Sequence, residues 1–339
     1  MDGEDFFELT SAGRARRVRR AAMAALEAYD LTVARVRLIT IETNGIFRVD
    51  GTDGRRFVLR VGRGGTIGHT PTEVRSETEW LGALARDTDL RVPAPVANRD
   101  GEAVTRVEVS GVPGARDCVL FHWVPGRQLD DDLRPDTMAA YGALVARLHE
   151  HAATFRPSPT FEIVRYDRVF PFDQPVILFD PTRTSFVTDA QRDVFRAGAE
   201  VVARAIESLR AGEPARVLHG DLHRWNVLVD RRSGGAAPAV AAIDFEDLCW
   251  GWPVQDLAIA LYYLHEEPTY PEILAAFRAG YESVRPWPDV TGAEIATFIA
   301  GRAIVLANDV ELLEDPEIRA EAPAYMARFE RRVRRLLER

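Results

Sequence analysis

The chain has 339 residues, 46% hydrophobic and 28% charged, the balance of an ordinary globular protein, and its length predicts two lobes. A net charge of -9 argues against nucleic acid as the main partner, and no apolar run reaches the roughly 20 residues of a membrane span. Two cysteines, Cys118 and Cys249, are too few for a disulfide framework and fit a reducing cytoplasm; the acidic start Met1–Asp5 lacks a signal-peptide core.

In chain order, Ser11 is placed to cap a helix running to about Tyr29, whose basic face (Arg14, Arg16, Arg17, Arg19, Arg20) reads as solvated. Val33–Ile41 alternates as a strand, with Val36, Leu38 and Thr40 on one side. Asn44-Gly45 is the commonest tight hairpin pair. Ile46–Val49 and Arg56–Val61 follow as strands around the turn Asp50–Gly54. A helix from Thr72 to about Arg86 carries Glu77, and Pro93 and Pro95 close that region. Two more strands fall near 103–109 and 116–122. Together these predict a five-stranded antiparallel sheet with one inserted helix. The composition changes near 122–128, and helices are expected at about 135–152, 188–211, 253–265, 271–284, 291–313 and 316–338. Residues 155–187 read as a loop packed over the second lobe. The fold class is therefore α+β. An N-lobe of residues 1–124 with an antiparallel sheet and one helix precedes a larger, mainly helical C-lobe of residues 125–339.

The chemistry concentrates in Val217–Val229 and Ala241–Asp247. Each is an apolar, strand-like run beside a knot of polar residues: His219, Asp221, His223 and Asn226 in one, Asp244, Glu246 and Asp247 in the other. Arg231–Gly235 is a turn signal that would fold the two runs into a hairpin. Asp221 stands five residues before Asn226, so a carboxylate can reach a substrate hydroxyl while a nearby amide ligates a metal. Phosphate-binding metals are hard and take oxygen ligands, which Asn226 and Asp244 supply. Asp221 is thus the candidate general base of an ATP- and Mg²⁺-dependent phosphoryl transfer.

His-Gly-Asp-Leu-His-Arg-Trp-Asn (219–226) followed by Ile-Asp-Phe-Glu-Asp (243–247) resembles the Brenner-type catalytic loop and metal-binding Asp of the aminoglycoside phosphotransferase family. That family includes choline, homoserine and methylthioribose kinases. The bacterial stress-response kinase is the branch this chain looks most like. The resemblance implies a protein-kinase-like two-lobe fold over most of the chain. Leu144–Glu150 looks like the helix before the catalytic loop. Pro253–Leu257 is similar to the segment whose Asp braces that loop, which gives Asp256 a structural role and makes His219 a packed support.

The resemblance also implies a nucleotide site in the first lobe. Arg60 sits where such kinases usually carry a Lys, and an Arg can clamp phosphates bidentately, with Glu77 as its ion-pair partner. Thr43–Ile46, with Asn44 and Gly45, would cover the phosphates through backbone N–H groups, although it has one Gly only. Phe121, His122 and Trp123 form the hinge expected to offer backbone groups to adenine, between apolar neighbours Val58 and Leu228. Gly220 replaces the Arg of the protein-kinase H-R-D motif, and the stretch from Asp244 to Asp256 is too short for a peptide-docking activation loop.

These absences favour a hydroxyl on a small molecule, such as an aminoglycoside or amino alcohol, as acceptor. A protein Ser/Thr acceptor and a nucleotide-binding pseudokinase stay open as alternatives. A zinc site at His219, Asp221 and His223 is disfavoured by the loop context. His149 and His151 read as a helix end, and Cys249 as buried. The acidic runs Asp130–Asp132 and Glu311–Asp315 read as solvated, and Trp250, Trp252, Tyr262, Tyr263 and Trp287 as core rather than as a cage for a quaternary amine.

Overall fold

A computed structural model describes residues 6, 9–41, 44–63, 69–232, 238–289 and 292–338. The chain divides into two compact units. The first comprises Met1–Pro125, Phe155–Ile163 and Ala241–Glu246, and the second the remaining residues. A single boundary near 124 does not anticipate the two later segments that join the first unit.

In the first unit, helix α1 (Ser11–Leu26) precedes strands β1 (Val33–Ile41), β2 (Gly45–Gly51) and β3 (Arg56–Val61), helix α2 (Pro71–Asp87), and strands β4 (Val104–Val107) and β5 (Arg116–His122). The sheet order is β1-β2-β3-β5-β4, antiparallel at each pair, as the alternation predicts. Its inner face (Phe47, Val49, Phe57, Leu59, Leu120) packs with Ala21, Ala22, Ala25 and Tyr29 of α1 and its C-terminal flank.

The helix starts differ from expectation. Thr10, not Ser11, caps α1, and the helix stops at Leu26. Thr70 begins α2 with a full capping box to Glu73, and Pro71 is the first helical residue, so the helix starts before Thr72. Two of the α1 arginines are not simply solvated: Arg17 donates to the Gly111 carbonyl at 3.1 Å and Arg19 to the Val36 carbonyl at 2.9 Å. Leu38 is exposed rather than aligned with Val36 on the buried side.

Gly45 is not a turn residue. It pairs with Ile41 inside the β1–β2 ladder, and a Cβ there would lie 2.6 Å from Val18 of α1, so close helix–sheet approach accounts for it. Thr43, Met1–Asp5, and Ser233–Gly235 of the expected hairpin turn lie outside the described residues. Phe155–Ile163 packs on α2: Ser158 donates to Glu79 through both N and Oγ, and the Glu162 N–H donates to Ser76 Oγ at 2.8 Å. Of the loop expected over the second lobe, this first part therefore joins the first unit, whereas the rest belongs to the second, where the Ile177 and Leu178 N–H groups donate to Asn308 Oδ1. Ala241–Glu246 joins the same unit through a parallel bridge from Ala241 to Arg91 and the edge-on contact of Phe245 with Trp80.

The second unit holds β6 (Arg127–Gln128), α3 (Pro135–Thr154), β7 (Val164–Arg165), α4 (Asp189–Gly212), β8 (Arg216–Leu218), β9 (Val227–Asp230), β11 (Cys249–Gly251), α5 (Pro253–Tyr262), α6 (Tyr270–Glu282), α7 (Glu294–Leu312) and α8 (Pro316–Leu337). Strand β10 (Ala239–Ala242) neighbours β9 and leads into the segment just described. In the other small sheet, β11 lies between β7 and β8. The helices match the sequence expectation closely because each has a long apolar face. Gly142 and Gly280 let α3 and α6 touch: a Cβ at either would lie within 1.9 Å of a carbonyl oxygen on the other helix. Among the described residues no helix is long and apolar enough to cross a membrane.

Candidate active site

The candidate catalytic loop runs from the end of β8 to the start of β9. Strand β11 fixes its entrance, because Leu218 pairs with Cys249. Asp256, at the first turn of α5 and 1% exposed, accepts from the His219 N–H at 3.2 Å and the Gly220 N–H at 3.0 Å. His149 Nε2 lies 3.1 Å from the same carboxylate, and His149 Nδ1 lies 3.0 Å from the Tyr281 hydroxyl. His149 is thus part of the brace, a role its place near a helix end did not reveal. Burial works to raise the Asp256 carboxyl, but His149, His219 and the Gly220 N–H outweigh it and hold it below the ordinary range. Gly220 has φ +80°, and a Cβ there would lie 2.0 Å from the Asp247 carbonyl oxygen. The loop geometry therefore requires glycine at that position.

Beyond the brace, the loop closes on itself. The His223 N–H donates to the Asp221 carbonyl at 2.8 Å and the Asn226 N–H to the His223 carbonyl at 2.9 Å. Tyr141 of α3 donates to the Leu222 carbonyl. Asn226 Nδ2 donates to the Asp221 carbonyl at 2.9 Å, which turns its Oδ1 away as a hard oxygen donor. The Asp221 carboxylate takes Arg302 Nη2 of α7 on Oδ1 at 2.7 Å and His223 Nε2 on Oδ2 at 3.3 Å. Burial would raise its pKa, yet His223 and Arg302 keep it below the usual range, so the Asp221 carboxylate is ionised. Arg302 was invisible in the sequence: it stands 81 residues from its partner, one arginine among many.

In the first unit, Arg60 of β3 donates Nη1 to Glu77 Oε1 at 2.8 Å and Nη2 to Oε2, the bidentate pair expected from the sequence. Both groups are buried. Glu246 lies 3.8 Å from Arg60 and accepts from Asn44 Nδ2. Burial opposes the charge of Arg60, but Glu77, Glu246 and Asp244 reinforce it. Glu246 went unassigned in the sequence, although its place two residues after Asp244 was the available signal. Asp244 itself has φ +66°, the one non-glycine residue with positive φ among those described. Such an outlier persists where its surroundings fix it, and it often marks a functional position. Replacing Glu77 by Gln is expected to destabilise the protein by about 3–5 kcal/mol, because it strands a buried guanidinium. Urea unfolding of Glu77→Gln against wild type checks this.

Phe121 pairs with Val58 inside the sheet and lies under the Arg60 guanidinium, 5.4 Å from ring centroid to Cζ. The His122 N–H already donates to the Ala94 carbonyl at 2.9 Å, and the Trp123 N–H to the Arg56 carbonyl at 3.1 Å. Extended sheet pairing thus occupies the His122 and Trp123 N–H groups. Val58 and Leu228 are both half-buried, Leu228 on β9 opposite Gln128.

The remaining candidates are structural. Asp130 pairs with Arg224, and Asp132 with Arg134 and Arg231. Glu311 accepts the N–H groups of Ser185, Phe186 and Val187. Trp252 is buried and donates to the Glu213 carbonyl. Cys118 and Cys249 are buried free thiols. Among the described residues no group of three His, Cys, Asp or Glu side chains is arranged to hold a metal.

A braced loop carrying an ionised Asp and an oriented Asn, in a chain with a buried Arg–Glu pair on a five-stranded sheet, defines a kinase-like phosphotransferase. The model of the phosphotransferase enzyme family matches residues 37–291, and the chain belongs to that family. The solved structure of a microcompartment-associated aminopropanol kinase is 26% identical, with TM-score 0.80 over 94% of this chain and 98% of that one. An amicoumacin kinase solved with AMP-PNP, Ca²⁺ and Ami shares the fold at 19% identity, with TM-score 0.76 over 93% and 92%. A homoserine kinase of Gluconobacter oxydans is 27% identical over 75% of this chain and 78% of its own length. A Synechocystis sp. protein, also 27% identical, is matched over 57% of its length. The chain is an enzyme of this family, with the α+β kinase-like fold and the small-molecule kinases as its relatives.

Proposed function

We propose that the protein transfers the γ-phosphoryl group of ATP to an alcohol group of a small amine-bearing molecule, with Mg²⁺ as the cation. The observation that carries this reading is the state of Asp221: ionised, held by Arg302 and His223, and set in a loop braced by Asp256. Asp221 accepts the acceptor's proton. Asn226 Oδ1 and the Asp244 carboxylate are the protein donors to the cation, and both are hard oxygens. A Mg²⁺ held by one or two side chains completes its shell with water and nucleotide phosphates. The cation neutralises charge developing on the transferred group. Arg60, fixed by Glu77, clamps phosphate oxygens, with Asn44 and Gly45 beside it.

The Arg at position 60 does not argue for a dead kinase. The chain contains no lysine at all; its 43 basic residues are all arginine. Arg60 thus follows a usage common to the whole chain, and its pair with Glu77 is intact. The amino alcohol is supported by the named substrate of the aminopropanol kinase neighbour, and a reducing cytoplasm by the two free thiols. Asp244→Ala is expected to abolish the Mg²⁺ dependence of ATP binding. Calorimetric titration with ATP, with and without Mg²⁺, checks it, and retained metal dependence would place the ligands elsewhere. The reading as a whole is tested by acceptor-stimulated ADP release over a panel of small amino alcohols.

A further inference from the structure

Within the second unit, a cavity of about 280 Å³ lies between the end of α5, α6, the start of α7 and the end of α8. Leu261, Leu274, Trp287, Ala296 and Ile299 give it apolar walls, and none of Asp221, Asn226 or Asp244 borders it. Small-molecule pockets measure about 300–1,000 Å³, so this one suits a compact ligand. Three arginines border it: Arg278, Arg332 and Arg335. Arg332 is buried, at 6% exposure. Its guanidinium stacks on Tyr262, 3.7 Å from the ring centroid, and its Nη2 meets Glu266 Oε1 at 3.1 Å. Its Nε and Nη1 have no hydrogen-bond partner among the described residues. Buried donors cost free energy unless something accepts from them.

The anions nearby are already occupied. Glu266 also faces Arg328, at 3.8 Å, and so serves two guanidiniums. Glu282 accepts from Arg278 at 2.9 Å. Asp289, on the wall, accepts the Glu294 and Ile295 N–H groups at 3.3 and 3.0 Å where α7 begins. His265, also on the wall, packs its ring on Tyr270. Arg335 is exposed and follows Arg332 by three residues, so the two share a face of α8. Arg332 also borders a larger cavity, whose wall includes Glu266 and Tyr262. Tyr270 and Ala296 border the smaller one alone. Burial pushes the Tyr270 hydroxyl up to about 12, against the pull of the Arg332 charge. A planar guanidinium with unmatched donors is a receptor for a carboxylate or a phosphate. The apolar walls select between them: a phosphate leaves them uncovered and brings a second negative charge beside Asp289 and Glu266.

We propose that this cavity binds a small organic carboxylate, whose charge is received by the unmatched donors of Arg332 and whose apolar body lies against Leu274, Trp287 and Ile299. Arg335 adds a second positive charge at the entrance. The site is separate from the phosphoryl-transfer residues, and its occupancy does not depend on the reaction proposed for them.

Titration calorimetry of the full chain with 3-phenylpropionate, with its neutral amide and with inorganic phosphate tests this. The carboxylate is expected to bind wild type about 10- to 100-fold more tightly than the amide, the range for a hydrogen bond to a charged group, and more tightly than phosphate. Arg332→Lys keeps a cation beside Glu266 but removes the Nε and Nη1 donors, and is expected to lose most of that preference. Ala296→Phe fills this cavity without touching the larger one, and is expected to abolish carboxylate binding. Equal affinity for acid and amide, tighter binding of phosphate, or unchanged affinity in either variant would overturn the site. So would the absence of carboxylate binding, the result expected if water alone satisfies Arg332.

Discussion

Asp221→Asn is expected to lower kcat by about 10²–10⁴-fold, the contribution of a positioned general base. The amide fills the same space but cannot accept a proton from the substrate hydroxyl. A second consequence follows from Arg302. Its guanidinium is 14% exposed and the Asp221 side chain 18% exposed, so the pair is largely shielded from water. Removing the carboxylate leaves a buried positive charge, and the loss expected for breaking such a pair is about 3–5 kcal/mol. Turnover should therefore be measured at a temperature where a melting curve shows the variant folded. Nucleotide binding should survive, because Asp244, Asn226 and the Arg60–Glu77 pair are untouched. Loss of turnover with retained nucleotide binding is the expected pattern; undiminished turnover would remove Asp221 from the chemistry.

Asp256→Asn is expected to cost about 3–5 kcal/mol of stability at neutral pH, read from urea midpoints. The carboxylate accepts two backbone N–H groups and faces His149, all in a fully buried setting. An amide can accept with its oxygen alone, and its NH₂ meets another donor. The effect also has a pH signature. The folded-state pKa of Asp256 lies below its unfolded value. The stabilisation is therefore fully present above about pH 4 and is lost as pH falls through the folded value. The gap between wild type and variant should be widest near neutrality and shrink in acid. A gap independent of pH would mean that the brace does not depend on the ionised carboxylate.

Much of the site was legible because short-range chemistry leaves a local trace. Asp221 and Asn226 are five residues apart in one loop, and apolar runs flank both knots. Arg60 and Glu77 could be paired through the family resemblance, which implies a basic residue on that strand and an acidic partner on the helix after it. The helices of the second unit followed from long apolar periodicities. What escaped the sequence reading was long-range. Arg302 reaches Asp221 across 81 residues, and His149 reaches Asp256 across 107, with no periodic pattern to flag either. Phe155–Ile163 joined the first unit through hydrogen bonds to Ser76 and Glu79, polar contacts that hydropathy does not encode. At the expected hinge, pairing continues past the apolar run of β5 and occupies the His122 and Trp123 N–H groups, which the hydropathy pattern does not show. Gly45 was misread because glycine serves close packing as well as turns, and Val18 of α1, not the hairpin, needs the space.

The most direct test of the account is ³¹P NMR of the wild-type chain with ATP, Mg²⁺ and 1-amino-2-propanol, run beside Asp221→Asn. The account predicts that a phosphomonoester resonance grows in step with ADP in the wild type and is absent in the variant. ATP converted to ADP and inorganic phosphate alone, or the same ester formed by both proteins, would contradict it.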